Sequence, residues 1–327
     1  MIDRSEKDII TNWPMDYIDK PLCSIRCTTY NHARYVAQAL DSFLMQETNY
    51  PFEIIIHDDA STDNTQDIIR EYNQRFPSII KPILQTENQY SKPNGRMYLK
   101  ELVDGACKGK YIAWCEGDDY WIDCRKLQKQ IDYLETHPDC SMVFNSANYV
   151  DDNSVTTFCD KKQNKECDFD TNKVIRGGGL FCASPSLCLR SEYADYLYDF
   201  QKHADIGDYP LQIALSLKGK VHYIPDIMSA YRVSELNIHS WTNRVMNNPD
   251  SAIKHLFNEI SWLTELDEET NHLYSKPIAF RCYVTKELLN ELGALSKEDL
   301  KFFYKSLCFS DKLRVLKRRV VNILKGN

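Results

Sequence analysis

Glycine is scarce in this chain, 11 residues in 327, and it is missing where a phosphate-binding loop would need it. The segment Thr28-Thr29-Tyr30-Asn31-His32 contains none, which excludes a Walker loop or a dinucleotide fingerprint at that point. Positive charge is also in deficit. A formal charge of -7 leaves no domain-wide basic field to neutralise phosphates, so no nucleic-acid partner is expected. Residues 1–20 hold no unbroken apolar run and read as neither a secretory signal nor a membrane span, so a cytoplasmic protein is expected. Cys-x-x-C spacing is absent as well, although there are twelve cysteines. Cys23, Cys27, Cys107, Cys115, Cys140 and Cys188 sit in apolar runs and read as reduced, small hydrophobic residues. No internal repeat is visible.

What is present is an alternation of strand and helix signals. Strands are expected at residues 22–27, 52–57, 79–85, 111–116 and 140–147, with helices at 33–45, 65–76, 97–107 and 124–136 between them. Such alternation builds an α/β fold, a mostly parallel sheet flanked by helices, with ligands gathered at the carboxyl ends of its strands. Residues 151–176 are polar and poor in strand signal, and read as a mobile surface loop running into Gly177-Gly178-Gly179. Strands at 185–189 and 221–224 and helices at 192–200 and 209–217 follow. Beyond Ser251 only helical periodicity remains, a helical appendage punctuated by Pro249 and Pro277.

Three strand ends carry polar clusters that packing does not require. The first is Thr28-Thr29-Tyr30-Asn31, with a tyrosine face for stacking and backbone groups for a base. The second, His57-Asp58-Asp59-Ala60-Ser61-Thr62-Asp63, offers carboxylates to a base or ribose, while Asp63 or Thr65 suits a helix cap. The third is Glu116-Gly117-Asp118-Asp119-Tyr120-Trp121. Adjacent carboxylates repel, and a hard cation such as Mg²⁺ or Mn²⁺, shared with the oxygens of a diphosphate, balances them. Further on, Tyr231-Arg232-Val233 with His239, Ser240 and Trp241 suits a lid in which Arg232 or His239 meets the diphosphate, with His239 also a candidate metal ligand. Trp121 and Trp241 offer aromatic faces for a sugar or for packing.

Together the three clusters resemble the inverting family 2 glycosyltransferases with the GT-A fold. In that family one strand ends in Thr-Tyr-Asn, here Thr29, Tyr30 and Asn31. A second ends in Asp-Asp-x-Ser-x-Asp, here Asp58, Asp59, Ser61 and Asp63. A third bears an Asp-x-Asp metal motif, represented by Glu116-x-Asp118 with Asp119 following. Thr28 replaces the usual proline and Glu116 the usual first aspartate, which leaves Glu116 to touch either metal or ribose.

The resemblance spans residues 20–235 and implies an N-terminal extension at 1–20 and a catalytic domain at 21–245. Within it, the nucleotide-binding half would be about 21–120 and the acceptor half about 121–245, followed by a helical region at 246–327. The implied donor is a nucleoside-diphosphate sugar, expected to be UDP-linked. Thr29, Tyr30, Asn31, Asp58, Asp59, Glu116, Asp118 and Arg232 would hold it, and Mn²⁺ or Mg²⁺ would sit at Asp118, Asp119 and His239. The implied transfer, of a hexosyl or N-acetylhexosaminyl group, inverts and belongs to bacterial surface polysaccharide synthesis, with a glycan or lipid-linked glycan acceptor. A carboxylate about 90 residues beyond the metal motif serves as general base, and Asp208 matches its position.

Two other activities fit parts of the pattern. A sugar nucleotidyltransferase would place a glycine-rich loop where Thr28 to His32 stand, and an inactive carbohydrate-binding scaffold would have no need of Asp118, Asp119 and Asp208. Finally, residues 312–325 interleave basic and apolar positions at helical spacing. That pattern suits either an ordinary packed helix or one lying on an anionic membrane, here the inner face of the plasma membrane.

Overall fold

The computed structural model describes residues 3–15, 20–195, 198–234, 236 and 242–325. Two compact units emerge, one made of residues 1–170, 182–197 and 214–240, the other of residues 171–181, 198–213 and 241–327. In chain order the elements are α1 (Glu6–Ile10), β1 (Cys23–Thr29), α2 (Val36–Leu44), β2 (Phe52–Asp58), α3 (Thr65–Arg75), β3 (Ile80–Leu84), α4 (Gly95–Ala106), β4 (Tyr111–Trp114), β5 (Tyr120–Trp121), α5 (Lys126–Thr136) and β6 (Cys140–Val150). They continue with β7 (Thr156–Asp160), β8 (Cys167–Phe169), α6 (Thr171–Gly177), β9 (Cys188–Arg190), α7 (Asp199–His203), α8 (Asp208–Lys218), β10 (Lys220–Arg232), α9 (Pro249–Glu269), α10 (Ser275–Glu291), α11 (Lys297–Ser306) and α12 (Phe309–Lys325).

The first unit is built on one sheet, in the order β3-β2-β1-β4-β9-β6-β10-β5, with β7 on β6 and β8 on β10. From β3 to β4 all neighbours are parallel. Every residue of β2 is buried, the signature of a strand covered on both faces. Helix α2 buries Val36, Ala39, Leu40, Phe43 and Leu44, the spacing of a single apolar stripe. Short β9 enters antiparallel between β4 and β6, and the sheet is mixed beyond it. Strand β10 then runs parallel to β6 as far as Arg232↔Val150, shifting register between Ile224 and Ile227. Pro225 lies in that shift, where a residue without an N–H interrupts a ladder. Its last turn of pairing, Ala230↔Tyr120, brings Arg232 beside the acidic segment that follows β4.

The polar stretch read as a mobile loop is ordered. It supplies β7, β8 and the start of α6; β7 is largely exposed and so shows no apolar alternation in the sequence. The helix expected at 192–200 is also broken: a 3-10 turn covers Ser191–Tyr193, and α7 starts only at Asp199.

The second unit is helical. Helix α9 begins with Pro249 in its first turn and an Asn248 side chain accepting the Ser251 N–H at 3.1 Å. Its buried Trp262 packs edge-on to Tyr209 and near Phe200. No helix among the described residues is long and apolar enough to cross a membrane. All twelve cysteines are free thiols.

Candidate functional site

Parallel register is what assembles the site. Thr29 lies opposite Asp58, and Arg26 opposite Trp114, so the ends of β1, β2 and β4 stand side by side. At the end of β1 the chain turns sharply. Asn31 adopts φ 57°, a left-handed conformation that asparagine tolerates better than most residues. Its N–H donates to Ser61 Oγ at 2.8 Å, and its Oδ1 accepts the Thr62 N–H at 2.8 Å. Ala60 is also left-handed, at φ 61°, a strained placement in the facing turn.

Asp58 and Asp59 are buried at this junction. Asp58 accepts from Thr29 Oγ1 at 2.8 Å, the Ser61 N–H at 2.9 Å, Gln66 Nε2 at 2.8 Å and the Ser61 hydroxyl. Asp59 accepts the backbone N–H groups of Gln89 and Tyr90 at 2.8 and 2.9 Å. Both carboxylates therefore shape the loops in which Tyr30 and Asn31 stand half-buried. Burial opposes the charged form of Asp63, but the Thr65 hydroxyl, then the Thr65 and Ala33 N–H groups, all donating to it, draw its carboxyl below the usual range.

In the acidic segment the carboxylates diverge. Glu116 turns towards β1: one oxygen takes the Thr28 N–H at 3.2 Å and the Thr28 hydroxyl, the other takes the Trp114 indole N–H at 2.7 Å. Asp118 faces His32, whose Nε2 is 3.6 Å from Oδ2. Between them Gly117 admits no side chain, since a Cβ there would lie 2.3 Å from Thr29 Cγ2. Asp119 is 3% exposed and accepts the Arg232 backbone N–H at 2.7 Å. Burial, then the neighbouring Asp118, push its carboxyl well above the ordinary range.

That pair tests whether the residues fit a divalent cation. Two adjacent carboxylates, one of them buried and destabilised by the other, form a site whose charge a cation would balance. Among the described residues no three histidine, cysteine or acidic side chains stand together as a protein-only cage. The donor set therefore fits an ion of the Mg²⁺ or Mn²⁺ type that takes one or two carboxylates and completes its shell from a diphosphate and water.

The resemblance places Arg232 at the diphosphate, and in the structure its guanidinium is hydrogen-bonded within the protein. Nε donates to the Asp118 carbonyl at 2.9 Å, Nη1 to the Asp151 carbonyl at 2.6 Å, and Nη2 to Gln38 Oε1 at 2.8 Å and Ser154 Oγ at 3.2 Å. The group also lies 4.6 Å from the Tyr35 ring centre. So many internal bonds make it a brace for the acidic segment. Trp121 is likewise packing, with its indole N–H on the Pro185 carbonyl at 2.9 Å. Asp208 opens α8, and its Oδ1 accepts the Tyr209 N–H at 2.8 Å. His239 and Trp241 lie outside the described residues. His32 went unnoticed in the sequence, where its only signal is that it follows Asn31.

The family model described as Glycosyl transferase family 2 matches residues 24–197. An uncharacterised protein of Mycobacterium tuberculosis is 33% identical over 215 residues, covering 64% of this chain and 58% of that one. The chain thus spans less than three-fifths of that relative's length. The Escherichia coli protein named UDP-Glc:alpha-D-GlcNAc-diphosphoundecaprenol beta-1,3-glucosyltransferase WfaP is 34% identical over 128 residues, 39% of this chain and 46% of its own. Among solved structures, S. aureus TarS 1-349 in complex with UDP-GlcNAc superposes with a TM-score of 0.57 at 15% identity, covering 89% of this chain and 77% of that one. The mannosyltransferase PcManGT from Pyrobaculum calidifontis, in complex with GDP-Man and Mn²⁺, gives 0.51 at 14% identity, covering 93% and 81%. At such identities the likeness is one of fold, the GT-A arrangement.

Proposed function

The chain belongs to glycosyl transferase family 2, and from that premise we propose that it moves a hexosyl or N-acetylhexosaminyl group from a UDP-sugar to an acceptor hydroxyl, with inversion. The pathway proposed is cell-surface polysaccharide synthesis, and the acceptor a glycan or lipid-linked glycan. The names of the relatives support the pathway and the UDP donor, one acting on a diphosphoundecaprenol-linked sugar and one binding UDP-GlcNAc.

The observation that carries this reading is the Asp118-Asp119 pair following a central parallel strand, two adjacent carboxyls of which Asp119 is buried, so that burial and the neighbouring Asp118 disfavour its charged form unless a cation balances it. In the proposed arrangement Asp118 and Asp119 hold the cation, which when bound neutralises the charge that develops on the departing diphosphate. Tyr30 and Asn31, on the turn fixed by Asp58 and Ser61, receive the nucleotide. Glu116, held between Thr28 and Trp114, is directed to the ribose side. Asp208, at the first turn of α8, takes the proton from the acceptor hydroxyl as its oxygen attacks the anomeric carbon opposite the leaving group. The nucleotide-binding half is proposed as residues 21–120 and the acceptor half as 121–245.

A thermal-shift screen of nucleoside-diphosphate sugars in Mn²⁺ tests the donor class, because a ligand at 100 times its Kd stabilises by about 2.7 kcal/mol. A rise in Tm with UDP-sugars that chelator removes is the expected result. Equal melting with every donor would refute the proposal.

A further inference from the structure

Charge in this protein is divided unevenly along the chain. Residues 301–327 contain eight lysines and arginines and one acid, Asp311, a balance of +7 against -7 for the whole, which leaves -14 on the rest. Helix α12 carries most of these cations, and it has two distinct faces.

One face is docked. Asp311, 1% exposed, receives Arg176 Nε and Nη2 at 3.3 and 3.4 Å, and Val315, one turn on, is buried with Phe280, Tyr283, Val284 and Leu307. The other face is bare. Phe309, Leu313 and Leu316 are 78%, 44% and 56% exposed, and their i, i+4, i+7 spacing makes a single stripe. At 100° per residue Lys312 falls on one border of the stripe, and Lys317 and Arg314 on the other. Helix α11 repeats the theme, with Phe302 71% exposed between exposed Lys301 and Lys305.

An apolar row bordered by cations on both sides is the arrangement that lies in a bilayer interface, apolar side chains among the acyl chains and cations at the phosphates. We infer that α12 docks on an anionic lipid bilayer through Phe309, Leu313 and Leu316, while Asp311 and Val315 hold it to its own helices. The strong local excess of positive charge beside an exposed apolar row selects an anionic lipid surface over a neutral one, and a second copy of this acidic chain is the competing occupant that sedimentation tests. This inference stands apart from the sugar-donor reading, since binding is measured without turnover.

Flotation of the full chain with phosphatidylcholine vesicles, with and without phosphatidylglycerol, tests it. Binding should require phosphatidylglycerol and weaken as salt rises from about 0.1 to about 0.5 M. The variant Phe309→Ser/Leu313→Ser/Leu316→Ser alters only exposed positions, so circular dichroism should be unchanged while vesicle affinity falls at least about tenfold. Lys301→Glu/Lys317→Glu should lose the preference for anionic vesicles. Equal wild-type binding to both vesicle types would overturn the inference, as would full affinity in the triple serine variant. So would a dimer in sedimentation that the serine variant dissolves while vesicle binding stays unchanged.

Discussion

The backbone N–H of Arg232 donates to Asp119 Oδ1 at 2.7 Å, and the same residue's Nε reaches the carbonyl of Asp118 at 2.9 Å. One residue at the end of β10 therefore holds both members of the acidic pair. The first bond survives any substitution other than proline, whereas the second belongs to the guanidinium. Arg232→Ala should cost about 2–4 kcal/mol of stability, because it leaves the Asp118 and Asp151 carbonyls without their buried donors. Metal affinity should fall with it, and Arg232→Lys should recover only part, having no planar fork. Metal-dependent UDP titration beside urea unfolding checks this. Unchanged metal affinity in the alanine variant would confine Arg232 to folding.

Asp208 is both the first residue of α8 and the proposed base, and Asp208→Asn separates the two roles. The amide keeps an oxygen for the Tyr209 N–H but accepts no proton. Turnover should drop by roughly 10²–10⁴-fold with the donor Kd nearly unchanged. Loss of a helix cap would instead lower stability by about 0.5–2 kcal/mol and leave kcat largely intact.

Lys126 gives a pH dependence of definite sign. Its ammonium is buried, with Nζ 2.7 Å from Gln130 Oε1 and 4.2 Å from the Trp121 ring centre, and burial lowers its pKa to about 8. In the unfolded chain the value is about 10.4. Below pH 8 both states are protonated and the folded state bears the full cost of the buried charge. That cost fades as pH rises through the window from about 8 to about 10.4, where the unfolded state binds more protons. Lys126→Met should be more stable than wild type by roughly 1–3 kcal/mol at pH 7, with the gap narrowing by pH 10. A gap that stays constant with pH in urea titrations would mean the lysine is not a buried cation.

How much of this was legible in the sequence depended on the range of the interactions involved. Strands β2 and β4 are legible because burial on both faces favours unbroken apolar runs such as Ile54-Ile55-Ile56, whereas β1 shows itself by the apolar Cys23, Ile25 and Cys27 alternating with Ser24 and Arg26. The three polar clusters stood out as departures from those runs. The antiparallel entry of β9 was not readable, because three buried residues carry no sign of direction. Nor was the bracing task of Arg232, whose partners Gln38, Asp118 and Asp151 lie 81 to 194 positions away. Gly117 was visible as part of a motif, but its reason, the Thr29 methyl against it, needed the folded register. Residues 156–169 misled because polar, exposed strands show no hydrophobic alternation.

The central claim is that Asp118 and Asp119 join a divalent cation to a nucleoside diphosphate. Calorimetric titration of UDP into wild type and Asp118→Asn, each with Mn²⁺ and with chelator, addresses it most directly. Wild type should bind UDP at least about tenfold more tightly with Mn²⁺, the scale expected when a metal neutralises a diphosphate, and the Asn variant should lose that difference. UDP affinity equal in Mn²⁺ and chelator for wild type, or an undiminished Mn²⁺ effect in Asp118→Asn, would contradict it.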